Sequence, residues 1–169
     1  MKRVLLFFLT CLMAILIQSV LWPAVVGLDV KPDLVLLLTV CLAMAERSFR
    51  GSFAAFMLGS WYDIVAGSHP GLHGVVLLTV YWGLQPIATR FNVESTVLQM
   101  IMVGVGTLLH AFLVIGGGFF AEAGGLWQFV LMNFLQQLLL NLVCAVVLVL
   151  LLRRFGLERW FCLPQLEKV

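Results

Sequence analysis

Few side chains in this sequence carry chemistry, and their spacing decides what they could do. Asp63 sits in a row of mostly small residues, Gly51, Ala55, Gly59, Asp63 and Gly67, that recurs every four positions. Just beyond it, Gly67-Ser68-His69-Pro70-Gly71-Leu72-His73-Gly74 sets His69 and His73 four apart, and Asn133, Gln137 and Asn141 repeat that interval with Gln136 alongside. A carboxylate near imidazoles suits proton transfer or metal ligation. Pro70, however, puts a helix boundary between the two histidines, and no HExxH pattern or third ligand follows, so no metal site is expected. His110 stands alone in an apolar run and reads as a hydrogen-bonded packing residue. With no GxSxG elbow, P-loop, dinucleotide fingerprint or pair of facing carboxylates, neither an enzyme nor a cofactor is expected.

The elements that hold these residues follow from composition. Of 169 residues, 63% are apolar and 11% charged, with a mean hydropathy of +1.11. Soluble domains run at about 45–50% apolar and about 25% charged, so too little polar surface exists to cover a water-soluble globule. A net charge of +2 is not the strongly basic balance of a nucleic-acid binder. Cys11, Cys41, Cys144 and Cys162 form no CxxC pair, and the first three lie in apolar runs, where a free cysteine behaves as a small hydrophobe. The run from Val4 to Trp22 after Lys2-Arg3 is longer than a signal-peptide core, and Pro23-Ala24-Val25-Val26 is a poor cleavage site, so it reads as an uncleaved first span.

Apolar runs at 4–22, 33–46, 51–66, 72–89, 97–120 and 128–152 predict an all-α membrane protein, a compact bundle of six transmembrane helices over residues 1–152 with a basic cytoplasmic tail at 153–169. The second run is short, roughly 21 Å as a helix at 1.5 Å per residue, and charge decides whether it crosses. If all six runs cross from a cytoplasmic N-terminus, Lys2, Arg3, Arg47, Arg50, Arg90, Arg153, Arg154, Arg159 and Lys168 lie inside and Lys31 alone lies outside. If the second does not, the later residues invert and the positive-inside bias is lost. Six spans with both termini cytoplasmic is the expected topology. The short span is then accommodated by bilayer thinning, by snorkelling of Arg47 and Arg50, or by protein neighbours.

Within such a bundle a four-residue row drifts only about 40° per step, so the small residues of the third span allow another helix to approach closely. Asp63, near the outer end, reads as a structural carboxylate that accepts hydrogen bonds from the Gly67-Ser68 turn or pairs with a polar group of another helix, because no second carboxylate or basic residue is expected in the outer halves of the other spans to complete a relay. Its replacement by Asn should then be tolerated. The amides read as interhelical glue, with Gln18 of the first span as a partner by depth.

The order Lys31-Pro32-Asp33-Leu34-Val35-Leu36-Leu37, a short span ending at Arg47 and Arg50, then Gly51, Gly59, Asp63, Gly67-Ser68 and Gly71 resembles the bacterial rod shape-determining MreD family. The likeness is best over residues 29–85; the remainder agrees in size and hydropathy. The resemblance implies an inner-membrane component of the machinery for lateral peptidoglycan synthesis, partnered by the periplasmic scaffold MreC, the actin-like MreB, and the RodA glycosyltransferase with its penicillin-binding transpeptidase. It also implies a helix arrangement similar to the S-components of energy-coupling vitamin transporters. Its motif transfers to Pro32 and Asp33 at the outer mouth of span two, and to Gly59, Asp63, Gly67 and Gly71; Arg47 and Arg50 face the cytoplasm, MreB or lipid headgroups.

Two functions compete. The first is a non-catalytic scaffold whose helix faces and outer loops bind a single-pass partner. The second is a small-molecule-binding component of a vitamin or metabolite transporter, with Asp63, His69, His73 and the amides lining a pocket. A first span lacking a sustained row of small residues, Phe7-Phe8-Leu9-Thr10-Cys11-Leu12-Met13-Ala14, counts against transport.

Overall fold

The computed structural model describes residues 2–22, 24, 31–46, 49–66, 71–90, 96–120 and 126–154. These form six α-helices and no strand: α1 (Lys2–Leu16), α2 (Leu34–Ala45), α3 (Phe49–Ala66), α4 (Leu72–Arg90), α5 (Thr96–Phe120) and α6 (Leu126–Arg154). The all-helical class expected from the apolar runs is therefore the class observed. One feature no apolar run announces is a single wide π-type turn, Ile17–Leu21, that continues α1. The tail beyond residue 154 lies outside the described residues.

Helix α2 is the centre of the bundle and touches each of the other five helices. Its sequence, LVLLLTVCLAMA, is apolar all round rather than on one stripe, as a helix enclosed on every side must be. Val35, Leu36, Val40 and Ala43 are each at most 1% exposed. At 12 residues it is about 18 Å long, too short to match a hydrocarbon layer, and its neighbours explain how it survives. Helix ends leave backbone N–H and C=O groups without intrahelical partners. At the C-terminal end of α2, Gln85 of α4 donates from Nε2 to the carbonyls of Ala43 (3.2 Å) and Glu46 (2.9 Å), and the Tyr81 hydroxyl donates to Glu46 O at 2.6 Å. Side chains of α4 thus finish this helix, at an end where Glu46 itself is exposed.

Helices α3 and α4 form the most extensive pair. They run antiparallel, and the small-residue row of α3 faces α4. A Cβ at Gly51 would overlap the Tyr81 hydroxyl, and one at Gly59 would overlap the His73 carbonyl and come within 2.7 Å of Gly74 Cα. Ala55 between them is fully buried. The row thus lets the two backbones meet, which is how Tyr81 and His73 reach their sites. Arg50 at the start of α3 and Arg90 at the end of α4 are exposed at the same end of this pair; Arg47 and Gly67 lie outside the described residues.

The outer faces are apolar. Met132 is 84% exposed and Phe112 74%, and Leu131, Leu135, Leu139 and Val143 form an exposed row along α6. Two stretches, Thr96–Gly117 and Leu131–Leu150, are long and apolar enough to cross a membrane.

Gly59→Ala is expected to lower stability by about 1–3 kcal/mol, because the methyl meets backbone that cannot rotate away. Gly104, with open space around its Cα, is the control: its replacement by Ala should be neutral or slightly stabilising. Thermal unfolding of the two purified variants in detergent, compared with the parent, checks the difference.

Candidate functional site

The N-terminus of α4 begins at Gly71, which has φ +89 and no side chain to cap the helix. Glycine adopts that backbone without strain, but the first N–H groups of α4 then need an acceptor from elsewhere. Asp63, on the last turn of α3, supplies it. Its Oδ2 accepts from the backbone N–H of Gly71 (2.9 Å) and Gly74 (3.3 Å), and its Oδ1 from that of His73 (3.2 Å). The His73 ring adds Nδ1 at 2.7 Å from the same Oδ1. Asp63 is 4% exposed, and a negative charge there also meets the positive end of the α4 dipole.

Asp33 caps α2 in the ordinary way, Oδ1 accepting from Leu36 N at 3.0 Å. Its own N–H donates to Asn141 Oδ1 of α6 (2.8 Å), and Asn141 Nδ2 donates to Thr107 Oγ1 of α5 (3.2 Å). His110 Nε2 stands 3.6 Å from Asp33 Oδ2. Gln18, carried on the π-type turn after α1, accepts from Val35 N (3.3 Å) and donates to the Tyr62 hydroxyl (3.4 Å). Tyr62 meets His73 edge-on at 4.9 Å between ring centroids, and the His73 and His110 rings lie 6.0 Å apart. Lys31 Nζ is 5.9 Å from the Tyr62 ring centroid. All six helices, through side chains or the backbone they cap, enter one buried polar cluster.

Several expectations change here. Asp33 stands at the start of α2, and because α2 is short it lies beside Asn141 and Thr107, near the midpoints of the two longest helices. Pro32 is buried with it. The absence of a second carboxylate or basic group near Asp63 is also corrected, since His73, His110, Asp33 and Lys31 all converge on the cluster. Asp63 bonds to Gly71, His73 and Gly74; Gly67, Ser68 and His69 lie outside the described residues. Of the amide row only Asn141 is fully buried, and Gln136 is exposed. Gln18 bonds to Tyr62 and Val35 rather than to those amides. Tyr62 and Thr107 were not singled out by sequence, although each has a signal: Tyr62 adjoins Asp63, and Thr107 is one helical turn from His110. Among the described residues no group of three or more His, Cys, Asp or Glu is arranged to hold a metal ion.

An all-helical bundle with an apolar exterior, two stretches long enough to cross a bilayer and a cross-linking polar core defines the class. The family model for the rod shape-determining protein MreD matches residues 1–157, and the chain belongs to that family. Membership assigns it to the determination of bacterial rod shape. No match was found among curated proteins or among solved structures.

The geometry reverses the expectation for Asp63→Asn. A structural carboxylate here uses both oxygens, whereas Asn offers one oxygen and turns an NH2 toward N–H donors. The variant should lose at least about 2 kcal/mol. Asp33→Asn should lose less than about 1 kcal/mol, since Asn caps a helix as well as Asp does. Unfolding midpoints of both in the same detergent test the contrast.

Proposed function

We propose that this protein is a non-catalytic component of the bacterial inner membrane that maintains rod shape by linking peptidoglycan synthesis to the cytoskeleton. The family match over residues 1–157 carries the reading. In it, the six helices are six spans with both termini cytoplasmic, Arg47, Arg50 and Arg90 among the inner charges and Lys31 outside, consistent with the positive-inside bias. An MreC-like periplasmic scaffold is the direct partner. RodA-type glycosyltransferase, the penicillin-binding transpeptidase and MreB belong to the same assembly.

Two structural observations support a scaffold. Several polar side chains of the core hold helices to one another, with Asp33, Asp63, Gln18 and Asn141 all bonded to backbone. The exterior presents long apolar faces on α5 and α6 that suit lipid or a partner's span. Pro32, Asp33, Gly59, Asp63 and Gly71 then act on partners indirectly, by fixing the bundle that presents those faces.

Depleting the protein from a rod-shaped bacterium is expected to give round cells, and an affinity-tagged copy is expected to retain an MreC-like protein through purification. Depleted cells that keep their rod shape but lose uptake of one small molecule would establish the transport alternative instead.

A further inference from the structure

Helix α6 stands proud of the bundle. Its membrane-length stretch Leu131–Leu150 is 11% buried, against 39% for Thr96–Gly117 of α5. The inner edge of α6 holds the buried Asn141 and Ala145. On the opposite edge Met132, Gln136, Leu139, Val143, Val146 and Leu150 follow one another in alternating steps of four and three, and every one of them is exposed. Among the apolar members the exposure runs from 42% at Val146 to 84% at Met132. This is the heptad spacing by which two helices wind together as a left-handed pair, the commonest crossing between membrane spans. The seam is about 27 Å long at 1.5 Å per residue, close to the roughly 30 Å of a hydrocarbon layer.

The apolar members of the seam suit lipid as well as protein; Gln136 does not. It lies about 8 Å inside the span, exposed and flanked along the helix by the exposed Met132, Leu135 and Leu139. An amide placed in hydrocarbon seeks a partner on another helix. Two copies of one chain enter the membrane in the same orientation, so a two-fold axis along the membrane normal sets their α6 helices parallel and their Gln136 residues at equal depth. An amide carries both an acceptor oxygen and donor N–H groups, so each Gln136 can bond its twin, the self-complementarity that a two-fold interface demands. A foreign helix would have to place a polar group at that one depth. Val143 and Leu139 supply the β-branched and leucine positions that favour two strands, and a single polar residue in the Val143 register, here Gln136, fixes alignment. We propose that the outer seam of α6 is a dimer interface, on which α6 of a second copy packs in parallel with Gln136 bonded to Gln136. The exposed face of α5, around Leu108 and Phe112, is left to lipid or to other spans.

The test is disulfide cross-linking of the purified full-length protein in liposomes at a high lipid-to-protein ratio. Each variant carries one new cysteine and is compared with the parent, whose own cysteines set the background. Leu139→Cys, Val143→Cys and Val146→Cys should give a covalent dimer above that background, whereas Leu131→Cys and Phe112→Cys, exposed but off the seam, should not. In the same liposomes, energy transfer between labelled copies should show pairing weakened about tenfold by Gln136→Leu and retained in Gln136→Asn. Equal cross-linking at seam and control positions, no dimer above background, or pairing unmoved by Gln136→Leu overturns the proposal. So does cross-linking that appears only in cell membranes and to a different protein, the result expected if the seam seats a partner's span. The proposal rests on reading α6 as a membrane span, and reaction of the seam cysteines with a water-soluble maleimide in liposomes would overturn it at that premise, which separates failure of the span from failure of the pairing.

Discussion

A backbone polar group enclosed by apolar side chains must find its partner within the protein, and the short helix α2 makes that requirement acute. Its 12 residues begin well inside the bundle, where Asp33 is buried beside the middle of α5 and α6, so protein must meet the N–H groups at that end. The other helices are arranged to do so. Asp33, Gln18 and Asn141 meet the N-terminal end, Gln85 and Tyr81 the C-terminal end. Tyr81 reaches that position because Gly51 leaves room for its hydroxyl, and Asn141 is oriented by Thr107. Helix α4 repeats the solution with a carboxylate borrowed from α3. Much of the polar chemistry of this protein is thus the completion of helix ends by residues from elsewhere in the chain.

This reasoning accounts for what the sequence made legible and what it did not. Helices were legible because apolar runs bounded by Gly, Pro and charge leave few alternatives. The row from Gly51 to Asp63 was legible as a close-packing face because four-residue spacing stays on one side of a helix. The depth of Asp33 was not, since the same Pro-Asp pair would cap a helix at the bundle's mouth or at its middle. Only the neighbours of α2 distinguish these, and they lie in α5 and α6. The pairing of Asp63 with His73 was within reach: both flank one turn, and Gly71 cannot cap its own helix. The approach of His110 to Asp33 had no local signature, because residues on different helices with unrelated spacing are brought together only by the packing of the whole bundle.

Scarcity of charge takes on a different meaning in the folded protein. On the sequence it sorted inside from outside. In the structure Gln18, Asp33, Tyr62, Asp63, His73, Thr107, His110 and Asn141 converge on one cluster, while Gln136 of the same amide row stays exposed. Such a network is stabilising when every member is satisfied and costly when one is removed. The apolar exterior is the complement of that arrangement. With the cluster's polar groups turned inward, the outer faces of α5 and α6 present mainly hydrocarbon to whatever surrounds them.

The dependence of α2 on distant caps also orders events during synthesis. The N–H of its cap residue, Asp33, is met by Asn141, 108 residues downstream, and its last carbonyls by Gln85, about 40 residues downstream. When α2 leaves the ribosome neither partner exists. The first N–H groups of α2 are met by Gln18 and Asp33, which are already made, whereas its last carbonyls wait for α4 and the N–H of its cap residue waits for α6.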